Sequence, residues 1–221
     1  TIWLHGSSVG EILSVIPIIN ELEKNKKINK IILTSSTTSS ALIFSNYKFK
    51  KTIHIYFPID TNYLTNKFIK FWKPQIAIFI DSEIWPNMFN NLKINKIPII
   101  LINGRITKKS FKRWIRFRSF AKQIFSKISL AMPQNNETSK YLKILGSKKI
   151  KIAGNLKYFA QSKKFLDTNT RKFFKNRLIF CAISTHYNEE LFIGKIHNEL
   201  KLKYNNLLTI IIPRHINRSA S

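Results

Sequence analysis

Three carboxylates in this sequence stand where a chain can do chemistry. Glu11 closes the stretch LHGSSVGE, in which an apolar run meets small hydroxyl and glycine residues before a helix-patterned segment. Asp81 and Glu83 share DSEIWPN, directly after the apolar run QIAIFI. Acids are scarce here, 11 Asp and Glu against 38 Lys and Arg, so their placement in turns asks for a reason. A strand-to-helix turn at Ser7, Ser8 and Gly10 leaves backbone N–H groups free at a helix N-terminus, a natural anion site. Glu11 then falls in the first helical turn. It can act there as a general base aimed into a cleft, or simply complement the helix dipole, worth about 0.3–1 kcal/mol. For DSEIWPN the plain alternative makes Asp81 or Ser82 a helix cap and Trp85 a packing residue.

Cations close other apolar runs. NGR brings Arg105, GNLK brings Lys157, and PRH brings Pro213, Arg214 and His215. A lone cation at such a place is usually surface charge; the shared position of these at strand ends is what singles them out. The opening turn lacks GxGxxG and the GKS/T phosphate loop, which argues against nicotinamide and P-loop chemistry.

These residues need a scaffold that gathers strand ends. Short apolar runs (TIWLHG, KIILTSS, TIHIYFP, QIAIFID, IPIILING, SLAMPQ and KIKIAGN) alternate with amphipathic segments at 11–25, 62–72, 108–125 and 137–145. That alternation predicts an α/β fold, a parallel sheet with crossover helices. Ligands of such sheets bind at the carboxyl ends of strands, where the polar turns fall. Residues 161–176 are poor in large aliphatics and predict a linker or connecting helix. RLIFCAIS, a helix over 189–204 and NLLTIIIPRH then begin a second β-α-β unit. The predicted organisation is a first domain over 1–162, a linker over 163–176 and the start of a second domain over 177–221. Two Rossmann-like units in tandem fit a two-domain enzyme.

Composition bounds the partners. The chain has 221 residues, 44% hydrophobic and 22% charged, as expected for a soluble globular protein. Its formal net charge of +27 would attract nucleic acid, anionic membrane surfaces or phosphorylated substrates. Alternatively, much of the lysine is solvated surface. Cys181 has no partner for an internal disulfide, which points to a reducing compartment, and its run LIFCAI predicts a core residue. No apolar stretch is long enough to span a bilayer, and no signal peptide is recognisable. The chain opens inside an apolar run without Met, and has the look of a segment cut at both ends.

Taken in order, HGSSVGE, SEIWPN, NGR followed by KKS, GNLKY, STHYNEE and PRHINR resemble the 3-deoxy-D-manno-octulosonic acid (Kdo) transferases that act on lipid A precursor. The resemblance implies a GT-B arrangement: a first Rossmann-like domain for the lipid acceptor and a second for the CMP-sugar donor. It makes Glu11 the general base of an inverting transfer from CMP-Kdo. Asp81 falls on a transition-state-stabilising acid, one methylene shorter than the family's usual Glu, and Lys157 on a second stabilising position. Pro213 and Arg214 match the start of the CMP-binding set, with Ser184 and Thr185 nearby. No cofactor is implied beyond the donor, and the absence of an acidic cage argues against a metal. The implied partners are CMP-Kdo, lipid A precursor and an anionic membrane, with the protein at the cytoplasmic face of the bacterial inner membrane. The stretch KKSFKRWIRFRSFAK then becomes an interfacial basic helix, with an ordinary surface helix as the alternative.

The sequence departs from the family in having Gly104 where NAR is usual, in lacking the N-terminal anchor, and in ending before the later glycine-rich motifs. The chain as given is therefore expected not to turn over substrate by itself. Two rivals stand beside this reading. A basic nucleic-acid-binding protein would leave Glu11, Asp81 and Glu83 repelling phosphate, so no nucleic acid is expected. A GT-B transferase using another nucleotide sugar is separated only by the motifs.

Overall fold

Ile31–Ser35 is buried at every position, as a central strand roofed on both faces must be. The computed structural model describes residues 1–156 and 168–214 and divides the chain into two compact units, Thr1–Gln161 and Ser162–Ser221. In the first unit, β1 (Ile2–His5), β2 (Ile31–Ser35), β3 (Thr52–Tyr56), β4 (Ile76–Ile80), β5 (Ile99–Gly104) and β6 (Ile128–Pro133) form one sheet. Every pairing is parallel, and the order is β3-β2-β1-β4-β5-β6. This is the Rossmann order.

Neighbouring strand residues point to opposite faces, and the core divides accordingly. Leu4, Leu33 and Ile80 pack with Ile12, Val15 and Ile19 of α1 (Val9–Lys24) and Phe44 of α2 (Thr38–Ser45). Trp3, Ile32 and Phe79 face the other way. They join α3 (Asn62–Trp72), α4 (Pro86–Ile94), α6 (Arg118–Phe125) and α7 (Asn136–Leu145) through Phe68, Phe89, Phe125 and Leu142. Successive connections leave β1 in one direction and β4 in the other. The carboxyl ends of β1 and β4 therefore flank the topological switch point, where open α/β sheets hold ligands.

Two expected elements differ. The stretch KIKIAGN is not a strand: it follows β6 through a single bridge, Ala131 to Ile150, and turns away at Gly154 with φ +79°. The helix expected over 108–125 breaks at Phe117 (φ −113°, ψ 57°) into α5 (Lys108–Arg116) and α6. Trp114, Ala121 and Phe125 keep one helical stripe across the break, so hydrophobic periodicity carries no sign of it.

The second unit holds α8 (Thr168–Phe174), β7 (Leu178–Thr185), α9 (Glu189–Lys203) and β8 (Leu207–Pro213), the strands pairing in parallel. Thus a helix occupies part of the expected linker. Cys181 is exposed rather than in a core. It shares a strand face with Ile179 and Ile183, which are 45% and 67% exposed.

Candidate functional site

The turn after β1 builds one wall of the switch point. Gly6 extends the strand pairing by donating its N–H to Thr34 O at 3.1 Å. Ser8 then caps α1 in an extended conformation, its hydroxyl accepting from Glu11 N and donating to Glu11 Oε1 at 3.0 Å. Ser7 N donates to Glu11 Oε2 at 2.7 Å. This is a variant of the capping box, with the carboxylate reaching one residue further back than the cap. Glu11 thus braces the first turn of α1 from a place at the carboxyl edge of the sheet. Burial pushes its carboxyl above the ordinary value, Glu83 and Asp81 add to this, and the bonds from Ser8 and Ser7 work against it. A carboxylate poised upward in this way is a better proton acceptor near neutral pH.

The turn after β4 builds the other wall. Asp81 is 8% exposed and adopts φ 60°, a left-handed conformation that Asp tolerates better than most residues. Its N–H donates to Ile102 O at 3.1 Å, its carbonyl accepts from Arg105 N at 3.2 Å, and its Oδ1 accepts from Ser82 Oγ at 2.9 Å. Glu83 Oε2 accepts the Trp85 indole N–H at 2.7 Å and lies 3.1 Å from Nε2 of His5. Burial works to raise the Glu83 carboxyl, but bonding and charge from His5, with bonds from Ser7 and Trp85, outweigh it and hold the group below its ordinary value. His5 is fully buried and stacks on Phe57 with centroids 3.9 Å apart.

Neither Asp81 nor Ser82 caps α4. Trp85 occupies the cap position without a side-chain bond, and Pro86 begins the helix. The acceptor comes from elsewhere: Asp60, beyond β3, takes Asn87 N at 3.1 Å and Met88 N at 2.8 Å. That frees the acids of DSEIWPN from a capping duty.

Further along the edge, Asn103, next to last in β5, adopts φ 53° and accepts Leu156 N on its Oδ1 at 2.9 Å. Its Nδ2 is buried without a partner. Asn103 thereby tethers the residue just before Lys157, which itself lies outside the described residues. Arg105 is exposed. In the second unit Thr185 pairs with Pro213, and Arg214 N donates to Thr185 O at 3.1 Å. Ser184 (φ 62°), Thr185, Pro213 and Arg214 are thus gathered at the carboxyl ends of β7 and β8. Sequence reasoning missed His5, Asp60 and Asn103. His5 and Asn103 carried a signal, the one as a histidine at the last position of a strand entering the turn, the other as the first residue of NGR.

On α5, Phe111, Trp114 and Ile115 pack against the core, and Phe111 stacks on Tyr141 at 4.2 Å. What remains outside is Lys108, Lys109, Lys112, Arg113, Arg116 and Arg118, with Phe117 66% and Phe120 48% exposed. Among the described residues no group of three or more His, Cys, Asp or Glu could hold a metal ion, and no helix is long and apolar enough to cross a membrane.

Comparisons with known proteins bear on this geometry. A family model described as 3-deoxy-D-manno-octulosonic-acid transferase (kdotransferase) matches residues 1–160. Over 98% of this chain, it is 31% identical to the 3-deoxy-D-manno-octulosonic acid transferase of Haemophilus influenzae, covering 52% of that protein. Over 100% of the chain, it is 34% identical to the enzyme of the same name from Rickettsia prowazekii, covering 48% of it. The chain spans about half the length of these curated relatives. Among solved structures, a UDP-GlcNAc 2-epimerase from Neisseria meningitidis matches 98% of the chain and 65% of its own at TM-score 0.68 and 18% identity. MurG from Acinetobacter baumannii matches 96% and 68% at TM-score 0.53 and 7% identity. At such identities the likeness speaks for the fold alone, α/β with Rossmann-like units of the GT-B type.

Proposed function

This chain belongs to the 3-deoxy-D-manno-octulosonic-acid transferase family, and we propose that it forms the acceptor side and part of the donor side of an enzyme moving Kdo from CMP-Kdo to a lipid A precursor. The observation that carries this reading is Glu11 at the switch point, held by Ser7 and Ser8 and poised to take up a proton. In the proposed step an acceptor sugar hydroxyl gives its proton to Glu11 as its oxygen bonds to the ketosidic carbon. The bond from that carbon to the CMP phosphate oxygen breaks, and the electron pair leaves with CMP. Attack opposite the leaving group inverts the centre.

Positive charge grows on the sugar and negative charge on the leaving phosphate. By the family resemblance Asp81 is the acid assigned to the first, and Lys157 and Arg214 are the cations assigned to the second. Ser184, Thr185 and Pro213 shape the CMP site, and the chemistry asks for no metal. The cations of α5 and the exposed Phe117 and Phe120 hold the protein to the anionic cytoplasmic face of the inner membrane, where each Lys or Arg contributes about 1 kcal/mol.

The test is transfer of radiolabelled Kdo from CMP-Kdo to lipid A precursor by the natural protein and its Glu11→Gln variant. The expected loss is at least about a hundredfold, the lower range for a positioned base, with acceptor binding retained. Full activity in the variant removes Glu11 from the mechanism. A natural protein that ignores CMP-Kdo but uses another nucleotide sugar removes the proposed donor.

A further inference from the structure

The end of β5 is built against its own stability. Ile102 pairs with Met132 and Gly104 with Pro133, so Asn103 is an extra residue bulged out of the β5–β6 ladder. It adopts φ 53°, which strains a residue with a Cβ. It is 1% exposed, and its Nδ2 is a buried donor without a partner among the described residues. Glycine would make the same left-handed turn with neither defect. What the asparagine side chain adds is Oδ1, which accepts Leu156 N at 2.9 Å from 53 residues further along the chain.

The bulge serves both neighbouring strands. On the β4 side, Asp81 N donates to Ile102 O at 3.1 Å, and Arg105 N donates to Asp81 O at 3.2 Å. The backbone on either side of Asn103 and Gly104 thus grips that one acid. Ser82 Oγ adds a bond to Arg105 O at 2.8 Å. On the β6 side, Gln134 N donates to Gly104 O and Gln134 Nε2 to Asn103 O, each at 3.0 Å. Leu156 lies past Gly154, where the chain has turned away at φ +79°, and Oδ1 draws its amide back to the sheet edge.

We propose that Asn103 is a positioning residue that holds the Asp81 turn and the chain at Leu156 in one fixed relation along the carboxyl edge. Its left-handed bulge presents the backbone that grips Asp81, and its side-chain oxygen ties down Leu156. Buried as it is, it touches no reactant. Turns at the ends of parallel strands are separate loops, and a residue bonded across two of them removes their freedom to move apart. Preorganised groups lose their effect when displaced by about 1 Å. The proposal rests on the transferase reading, in which Asp81 and Lys157, the residue after Leu156, both serve the transition state.

Two measurements on the natural protein keep the proposal and that reading apart. Asn103→Gly preserves the backbone turn and deletes the tether. Hydrogen exchange resolved to single residues should quicken at the Leu156 amide by about tenfold, as for the loss of one hydrogen bond. It should stay unchanged at Arg105, whose bond to Asp81 needs only the bulge. Asn103→Asp tolerates the same φ and keeps an acceptor in place, so Leu156 should remain protected there. Exchange at Leu156 that is no faster in the Gly variant, or as fast in the Asp variant as in the Gly one, overturns the tether. In transfer from CMP-Kdo, Asn103→Gly should lower kcat by about tenfold to a hundredfold, the scale of a misplaced group, with KM for both substrates unchanged. No loss, or a loss in KM alone, overturns the positioning role. A natural protein inactive with CMP-Kdo overturns the transferase reading, and exchange at Leu156 then decides the tether by itself.

Discussion

Gly6 and Glu11 stand so close that a Cβ built on Gly6 would lie 3.0 Å from the Cβ of Glu11. The same atom would meet Ile80 Cδ1 at 3.4 Å and Glu11 Oε2 at 3.5 Å. Ile80 can rotate its terminal methyl, but a Cβ moves only with its backbone. Gly6 is therefore required for close approach rather than for an unusual φ. Gly6→Ala should cost about 1–3 kcal/mol through overpacking, and the strain should be relieved by moving the first turn of α1. The Ser7 N–H bond to Glu11 would be lost with it. Thermal denaturation together with the Glu11 carboxyl titration checks this; an unchanged Glu11 midpoint would show that the turn absorbs a methyl group without moving the acid.

Glu11 also trades stability for function. Its carboxyl is raised above the ordinary value of 4.5 in the folded chain, chiefly by burial. Between 4.5 and the folded midpoint the native state binds more protons than the unfolded one, so stability falls as pH rises through that window. Below 4.5 the penalty vanishes, since both states are protonated. Glutamine cannot ionise and escapes the penalty. Glu11→Gln should melt above the parent at pH 8 and match it at pH 4. Paired melting curves across pH read the gap. A variant less stable at pH 8 would mean that capping by the carboxylate outweighs the cost of its burial.

The Rossmann framework was legible because buried parallel strands such as IILTS leave continuous apolar runs, and small polar residues mark their ends. Glu11 was legible for the same reason, as an acid next to such an end. What escaped were contacts between distant segments. Asp60 caps α4 from the β3–α3 connection, and Glu23 accepts from Lys50 N, Lys51 N and Thr52 Oγ1. Neither has a local pattern, because the donor lies on another element. The duty of His5 was hidden likewise: its partners Thr34 and Glu83 belong to the two strands that flank β1 or to the turn beyond them. Composition misled at Cys181, where an apolar run lies along an exposed strand face.

Asp81 separates backbone demand from charge. At φ 60° a residue with a Cβ is strained, and Asn or Asp tolerates the conformation best. Asp81→Asn should keep the fold and its melting temperature while lowering Kdo transfer by the natural protein, since only the charge is removed. Asp81→Ala should lose transfer and about 1–2 kcal/mol of stability besides. Equal transfer by Asp81→Asn and the parent would assign this residue to the turn alone.

The basic face of α5 yields the last prediction, because packing has already divided its side chains. Trp114 is committed to the interior, edge-on to Phe125 with centroids 5.1 Å apart, so Trp114→Ala should unfold the first unit before it reports on any surface. Lys112, Arg113, Phe117 and Phe120 are free of that duty. Removing Lys112 or Arg113 should weaken binding to vesicles containing phosphatidylserine by about fivefold each, the equivalent of about 1 kcal/mol, and the difference should shrink at high salt. Phe117→Ser with Phe120→Ser should weaken binding by an amount that salt does not remove, because apolar insertion is not screened. Co-sedimentation at two ionic strengths distinguishes the terms. Binding that vanishes entirely at high salt, with no effect of the Phe substitutions, would leave electrostatic adsorption and take away insertion.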